Sequence, residues 1–461
     1  MPRSTRSTFD PFVPFVRFAS HAAPAAVRRA VLPALVASAL GAGSAVAGPV
    51  QTVFVIAMEN ENFIQPGNPF PAGGNQQILN NPNAPFLNSL LNGTATAIIN
   101  GAPVSISSQT AYASNYGAVQ PNASGTVHPS EPNYIWSEAG TNFGVKNDNE
   151  PFASSGGTNQ NTGAHLSALL QQYGRTWKSY QEDIDLATDA NGKLTNSVLP
   201  QSQWTVPLKN ANNGNGTGAN AAPGYTNPYN GSHQYDYGAK HNPMVFFSDT
   251  NGGNNSTPSN PLAQHYAPLQ QLQTDLADNT VAQYNWITPD QFNDMHTALN
   301  GTYKGLTSAG DKRIRQGDDF LAMIVPQIMA SQAYQNDGAI ILWWDETEPA
   351  GGIPGENADD ASHKIAEIVI SPDAHPNVNG LPYTNTIAYT HSSDLRTLQE
   401  IFHVGLSDPG SGPWLRDAAN ATDLSDLFAA GAIPSVIPEP GTLLMFGLGL
   451  AALPLVWRRR S

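Results

Sequence analysis

The chain has no cysteine, which excludes disulfides, thiolate nucleophiles and Cys-ligated zinc. Its stability must come from core burial, with metal ligation through oxygen or imidazole as the remaining staple. Charge is also scarce, at 12% of residues, and positive charge is scarcest where a fold would lie. Arg3, Arg6, Arg17, Arg28 and Arg29 crowd one end, and Arg458, Arg459 and Arg460 the other. With these, Asp10 and Glu439 set aside, the middle holds 13 basic residues against 34 acidic ones, a net charge of −21. Such a surface repels nucleic-acid backbones and anionic lipid, so no nucleic-acid partner is expected. An anionic ligand would need a local reversal of the field, and a bound divalent cation is the simplest way to supply it. The sequence also lacks an internal repeat and a glycine-rich phosphate loop.

What is present is a chain of 461 residues, 40% hydrophobic, with 41 Gly and 37 Pro. That composition describes a globular protein with many polar loops rather than a disordered one. Length alone allows one large domain or two to three ordinary ones.

Both ends read as addresses. Arg28-Arg29 precede an apolar run from Ala30 to Ala42, and Ala45-Val46-Ala47 offers the small residues of a signal-peptidase site. Residues 1–47 are therefore expected to be a secretory signal, cleaved after Ala47. Near the other end, Val436-Ile437-Pro438-Glu439-Pro440 leads into an apolar segment from Gly441 to Trp457 and then Arg458-Arg459-Arg460. That segment is short for a bilayer span, and the trailing arginines suit the positive-inside rule. The order Pro-Glu-Pro, apolar span, arginine cluster resembles the PEP-CTERM sorting signal of Gram-negative bacteria. The resemblance implies that a sorting protease removes residues 433–461. The membrane would then be met only transiently, and the mature protein would reach the envelope, the surface or the extracellular matrix. A simple C-terminal anchor is the alternative.

Between the ends, Thr52 to Met58 is a β-branched apolar run that stops at Glu59-Asn60-Glu61-Asn62, and Ala339 to Trp344 is another that stops at Asp345-Glu346. Continuous apolar strands mark a sheet covered on both faces. Further runs at Met244 to Phe247, Ala282 to Ile287 and Ile365 to Ile370 read as strands. They alternate with helix-like stretches at His165 to Tyr173, Phe320 to Ala333 and Ser393 to Val404. The pattern predicts an α/β fold in one domain, residues 48–432, with a mainly parallel sheet flanked by helices on both faces. Asn210 to Asn227 and Thr250 to Asn260 read as long polar loop insertions.

Ligands of open α/β sheets bind beyond the carboxyl ends of the strands. Glu59, Asn60, Asp345 and Glu346 would bring four oxygen donors to one sheet edge, a set suited to a hard divalent cation of unspecified identity. His128, His241, His296 and His391 each stand near Asn, Asp or Ser at an element boundary, which makes them candidates for the same site.

Six stretches then occur in order: Met58-Glu59-Asn60-Glu61-Asn62-Phe63; His128-Pro129-Ser130 through Pro132-Asn133-Tyr134; Lys240-His241-Asn242-Pro243; Asn293-Asp294-Met295-His296; Trp344-Asp345-Glu346; and His391-Ser392-Ser393 through Leu395-Arg396-Thr397. From about Val53 to Leu406 the chain resembles the phosphoesterase family that holds bacterial acid phosphatases and phospholipases C. That family is similar to the alkaline-phosphatase superfamily, which implies an alkaline-phosphatase-like fold and a Ser or Thr nucleophile beside divalent metal. By this likeness Glu59, Asn60, Asp345 and Glu346 would be metal ligands. His128, His241, His296 and His391 would line the phosphate pocket, or in part bind a second metal with Asp294. Ser130-Glu131-Pro132-Asn133 looks like the Thr-Phe-Pro-Asn stretch that carries the nucleophile in nucleotide pyrophosphatases. Ser130 is thus the candidate nucleophile, with Asn133 and His241 toward substrate, and His128 or His296 as proton donor. Glu131 stands where an apolar residue is usual, either crowding the site with negative charge or pointing to solvent. Trp136-Ser137-Glu138-Ala139-Gly140 likewise replaces a small Ser-Gly segment.

The expected activity is hydrolysis of a phosphate ester by an exported acid phosphatase through a phosphoseryl intermediate. Protonated histidines would favour an acidic optimum. A phospholipase C-type phosphodiesterase is the alternative enzyme, disfavoured by the acidic surface and the lack of an amphipathic lipid-docking helix. A surface or matrix protein without turnover is the alternative of another class.

Overall fold

The computed structural model describes residues 48–71, 73–118, 128–212, 224–348, 362–407 and 412–434. The expected secretory signal, residues 1–47, and all but the first two residues of the expected sorting tail, residues 433–461, lie outside the described residues. An eight-stranded sheet organises the fold. Its strands are β1 (Thr52–Met58), β2 (Thr110–Tyr116), β3 (Trp177–Gln181), β4 (Tyr266–Pro268), β5 (Tyr284–Thr288), β6 (Gly338–Trp344), β7 (Ile365–Ile370) and β8 (Tyr383–Asn385). In space they run β4-β3-β5-β1-β6-β7-β2-β8. From β4 to β6 every pairing is parallel. β7 is antiparallel to both β6 and β2, and β8 returns parallel to β2. The expected mainly parallel α/β sheet is present, with two antiparallel joins in its second half.

β1 and β6 are the two continuous apolar runs, and they lie side by side at the centre with every residue of β6 buried. Branched and aromatic side chains on both faces suit a strand covered on both sides. Two further parallel strands run into acids: β3 into Glu182 and β5 into Asp290 and Asp294, whereas the edge strand β4 runs into Leu269. The carboxyl edge from β3 to β6 is thus acidic.

Among the described residues there are eight α-helices: α1 (Pro85–Leu91), α2 (Ser130–Ala139), α3 (Leu166–Gln172), α4 (Ser248–Asn251), α5 (Gln270–Ala277), α6 (Ala309–Met329), α7 (Gln332–Gln335) and α8 (His391–Phe402). α3 and α8 fall close to the stretches expected for them. α6 extends eleven residues further toward its N-terminus than the apolar pattern suggested. Its first half is polar in sequence yet packs inward at Gly310, Ile314, Gly317 and Asp318. Gly317 is the closest approach: a Cβ there would lie 2.3 Å from Met295 Cγ and 2.9 Å from Met58 Cε. The helix can therefore press on the residues that immediately precede Glu59 and follow Asp294. Met244 to Phe247 was expected as a strand and is instead a 3-10 turn, Pro243–Phe246. Pro243 sets φ for a first helical turn and supplies no N–H to a ladder, and that local preference wins over the apolar run.

α2 is buried along its whole length. It ends at Gly140, whose φ of +67 and whose 2.4 Å approach of a would-be Cβ to the Leu415 carbonyl both require glycine. A fully buried histidine ties its last turn to α3 and α4. His165 Nδ1 lies 2.9 Å from Glu138 Oε2 and Nε2 lies 2.7 Å from Asp249 Oδ1. Its ring stacks on Phe247 at 4.0 Å. A neutral imidazole has one N–H, so two carboxylate neighbours select the imidazolium. Burial alone would lower the His165 pKa, but the hydrogen bonds to Asp249 and Glu138 outweigh it and raise the value above its ordinary 6.5. A raised folded value gives stability that is complete below the unfolded value and is lost as pH rises through the folded one. His165→Gln is therefore expected to lower Tm by several degrees at pH 5 to 6, since breaking a buried pair costs about 3–5 kcal/mol. Thermal melts of both proteins against pH should show the gap narrowing at alkaline pH, and a constant gap would refute the pairing.

Candidate active site

The register between β1 and β6 pairs Met58 with Trp344, so Glu59-Asn60 and Asp345-Glu346 leave adjacent strands at the same level. The Asp345 amide donates to the Met58 carbonyl at 3.3 Å, and the Asn60 amide donates to Asp345 Oδ1 at 3.3 Å. Asn60 has a φ of +24, a turn conformation that Asn tolerates better than most residues. Its amide Nδ2 reaches Glu346 Oε1 at 3.4 Å and Glu348 Oε1 at 3.0 Å.

The first turn of α2 faces these acids. Ser130 Oγ donates to Glu59 Oε2 at 3.0 Å and lies 3.5 Å from Glu346 Oε1. One turn on, Asn133 Nδ2 donates to Glu346 Oε2 at 3.1 Å and the Tyr134 hydroxyl donates to Glu59 Oε1 at 2.5 Å. The i, i+3 and i, i+4 spacing of a helix is what puts all three on one face. His128 Nδ1 sits 2.8 Å from Glu346 Oε2, and the His128 side chain keeps 23% of its surface exposed.

From the other side, His241 Nε2 is 3.0 Å from Glu59 Oε1 and Nδ1 is 3.2 Å from Asp294 Oδ2. These contacts lie off the direction of a hydrogen bond, and both ring nitrogens lack a hydrogen-bond partner. The Glu59 amide donates to the Asp294 carbonyl at 2.8 Å. Behind them, Lys240 Nζ is 3.2 Å from both Asp148 Oδ2 and His296 Nε2.

Burying so many acids together shifts their protonation. Burial pushes Glu59 up to about 7, with the Lys240 ammonium pulling it back. Asp345 and Asp294 are raised well above the carboxylate range by burial and then by the charge on Glu59, and Glu346 by burial and then by Asp345. Burial and the Lys240 charge hold His241 and His296 well below the usual imidazole value. Buried like charges of this kind are tolerated only with a proton or a cation among them.

The donor set fits a divalent cation. Asn60 Oδ1, Asp294 Oδ2, Asp345 Oδ2 and both His241 nitrogens are buried without a hydrogen-bond partner. Ligand atoms of Glu59, His241 and His296 come within 4.8 Å of one another, as do those of His128, Glu346 and Glu348. Carboxylate and amide oxygens with one or two imidazoles are ordinary ligands for hard or borderline divalent ions. A third group, Glu182, Asp183 and Asp290, meets the same distance. Its carboxylates already accept hydrogen bonds from Asn293, Asn227, Tyr225 and backbone amides.

Residues 102–405 match the phosphoesterase family. The chain belongs to that family. A probable acid phosphatase of Kluyveromyces lactis is 24% identical over 304 residues, which cover 65% of this chain and 55% of that protein. An acid phosphatase of Aspergillus fumigatus is 24% identical over 230 residues, 50% of this chain and 38% of that one. The chain thus spans about half the length, or less, of these relatives. A protein of the alkaline phosphatase superfamily from Vibrio parahaemolyticus aligns over 77% of this chain and 67% of its own, at 12% identity and a TM-score of 0.39. Residues 436–460 match the PEP-CTERM protein-sorting motif, which marks the phosphoesterase for export to the cell envelope of a Gram-negative bacterium. Among the described residues no helix is long and apolar enough to cross a membrane.

Glu59, Asn60, Asp345, Glu346, Ser130, Asn133, His128, His241, Asp294 and His296 converge at one sheet edge. His391 is placed differently. Its Nε2 faces the Trp344 carbonyl at 3.1 Å and its ring tilts against Trp343 and Tyr116. It therefore braces the strand that carries Asp345, and burial holds it down to about 4. Glu131 neither reaches solvent nor adds charge: it is fully buried, and burial pushes its carboxyl up to about 9. Sequence reasoning gave no role to Tyr134, Lys240, Asp148 or Glu348. The first two stand inside motifs already singled out, whereas Asp148 and Glu348 lie in polar runs with no periodic signal.

Proposed function

We propose that this phosphoesterase is an exported, divalent-metal-dependent phosphomonoesterase, an acid phosphatase with Ser130 as nucleophile. The observation that carries the reading is the Ser130 hydroxyl, donating at 3.0 Å to Glu59 inside a cluster of buried acids with unpartnered oxygens. Glu59, Asn60, Asp345 and Glu346 would hold the cation, with His241 and Asp294 as further donors. When bound, it supplies positive charge that favours the serine alkoxide and the developing charge on phosphoryl oxygens.

The chain's own groups do the rest. Glu59 fixes the direction of the Ser130 hydroxyl and Tyr134 fixes Glu59. Ser130 Oγ attacks phosphorus as the ester P–O bond breaks, leaving a phosphoserine, and water then releases phosphate. Of the two histidines offered as proton donors, His128 suits the leaving oxygen better. It is partly exposed and paired with Glu346, whereas His296 accepts from Lys240, and burial and that charge hold it well below the usual imidazole value. Asn133 donates to Glu346 and orients it beside Ser130, and it is the substrate-facing amide of this reading.

The domain is taken as residues 48–432, with the signal removed after Ala47 and the tail removed by a sorting protease. The test is purified protein with p-nitrophenyl phosphate and with phosphatidylcholine, before and after chelation. Release of nitrophenol that chelation abolishes and added metal restores is the expected result. Cleavage of phosphatidylcholine alone would mean a phospholipase C-type diesterase, and no turnover of either across pH and metals would mean a surface or matrix role.

A further inference from the structure

Two cations border the buried acids. Arg313 is committed: its Nε lies 2.9 Å from Glu61 Oε1 and its Nη2 lies 2.8 Å from Asn75 Oδ1. Lys240 is held differently. Its side chain is 13% exposed, and Nζ points at Asp148 Oδ2 and His296 Nε2, both at 3.2 Å. His296 Nδ1 faces Thr297 Oγ1 at 2.9 Å, so the network assigns the proton to Nδ1 and leaves Nε2 to accept from the lysine. An ammonium has three donors, and these are its two hydrogen-bond partners among the described residues.

Asp148 connects this lysine to the reacting serine. Its Oδ2 takes the ammonium, while its Oδ1 accepts the amide of Glu131 at 3.0 Å, one residue past Ser130. One carboxylate thereby fixes the distance between the start of α2 and the Lys240 charge.

Resting on the phosphomonoesterase reading, we propose that Lys240, positioned by Asp148, sets the preference of this site for dianionic monoesters over monoanionic diesters. The physical reason is charge. Around Ser130 stand Glu59, Asp345, Glu346 and Asp294, which a single divalent cation does not fully neutralise when ionised. A monoester brings one more negative charge than a diester, and Lys240 is the side-chain cation tied to the Ser130 end of α2 through Asp148, whereas Arg313 is committed to Glu61 and Asn75. In a partly buried site of moderate dielectric, removing one such charge is expected to cost the dianion about 100-fold in kcat/KM. A diester, carrying one charge, has less to lose.

The experiment compares kcat/KM for p-nitrophenyl phosphate and bis(p-nitrophenyl) phosphate in wild type, K240Q, K240R and D148N, with folding checked by thermal melts. K240Q is expected to lower the monoester value about 100-fold and the diester value several-fold at most, so the monoester-to-diester ratio falls at least tenfold. D148N should move the ratio the same way through KM, and K240R should keep most of it. Equal losses on both substrates in K240Q and D148N would overturn the proposal, because a merely structural role moves both together. Should the wild type cleave neither ester, the phosphatase reading itself fails. Binding of inorganic phosphate at pH 8 then decides the lysine: tenfold weaker binding in K240Q keeps its role as a dianion reader, and unchanged affinity ends it.

Discussion

Ser130→Ala is expected to lower kcat on p-nitrophenyl phosphate by roughly 10⁴-fold or more, the scale on which loss of a covalent nucleophile is felt. The hydroxyl donates to Glu59 at 3.0 Å and is 1% exposed, so removing it deletes one atom from a closed polar network. No neighbouring side chain in the α2 turn offers a replacement: Asn133 and Tyr134 are both turned to carboxylates. The variant should keep its metal, because none of the proposed cation donors is lost, and calorimetric titration of metal into S130A should match wild type within a few-fold. Acid-quenched turnover of wild type should trap phosphate on the protein in one equivalent, and S130A should trap none. Wild-type kcat in a correctly folded S130A would remove the serine from the chemistry and turn attention to water activated at the same acids.

The parts of this site that could be seen in sequence are those whose position follows from a strand ending. Thr52 to Met58 and Ala339 to Trp344 are apolar on both faces, which makes them central and parallel, so the acids after them must emerge at a common edge. The convergence of Glu59 and Asp345 follows from that geometry. Elements that lie half in polar surroundings were harder to see. β2 reads Thr-Ala-Tyr-Ala-Ser-Asn-Tyr, and α2 opens Ser-Glu-Pro-Asn, with neither a continuous apolar run nor a clear 3.6 period. α2 is nevertheless wholly buried because it is packed from several directions, including α8 and the turns around His241. Burial of Ser, Glu and Asn is an unfavourable local choice, and such conflicts are expected at functional sites. The Asp148 to Lys240 contact spans loops that no periodicity predicts. His391 differs from the other motif histidines: the N-terminus of α8 brings its Nε2 to the carbonyl of Trp344, the residue before Asp345, a contact that its motif neighbours do not reveal.

Asp345→Asn should act with opposite signs in the metal-free and metal-bound protein, and that reversal is the strongest check on the cation. Without metal, burial and the charge on Glu59 raise Asp345 well above the carboxylate range, and Glu59 itself sits at about 7. An acid with a raised folded pKa binds more protons folded than unfolded between its two values, so stability falls as pH climbs from about 4 through the folded value. Removing one buried carboxylate relieves that repulsion, and metal-free D345N is expected to melt several degrees above metal-free wild type at pH 8, with the difference vanishing near pH 4. With metal the order inverts. Saturating a site at a thousand times its Kd stabilises wild type by about 4 kcal/mol, or roughly 5–10 °C for a domain of this size. D345N, with an amide oxygen in place of an anionic ligand, should lose most of that rise and at least 10³-fold in kcat/KM. The two melting curves would then cross as metal is added at pH 8. Parallel curves, with D345N less stable by the same amount at every metal concentration, would make Asp345 a structural carboxylate and leave the acids of this edge without a cation to explain them.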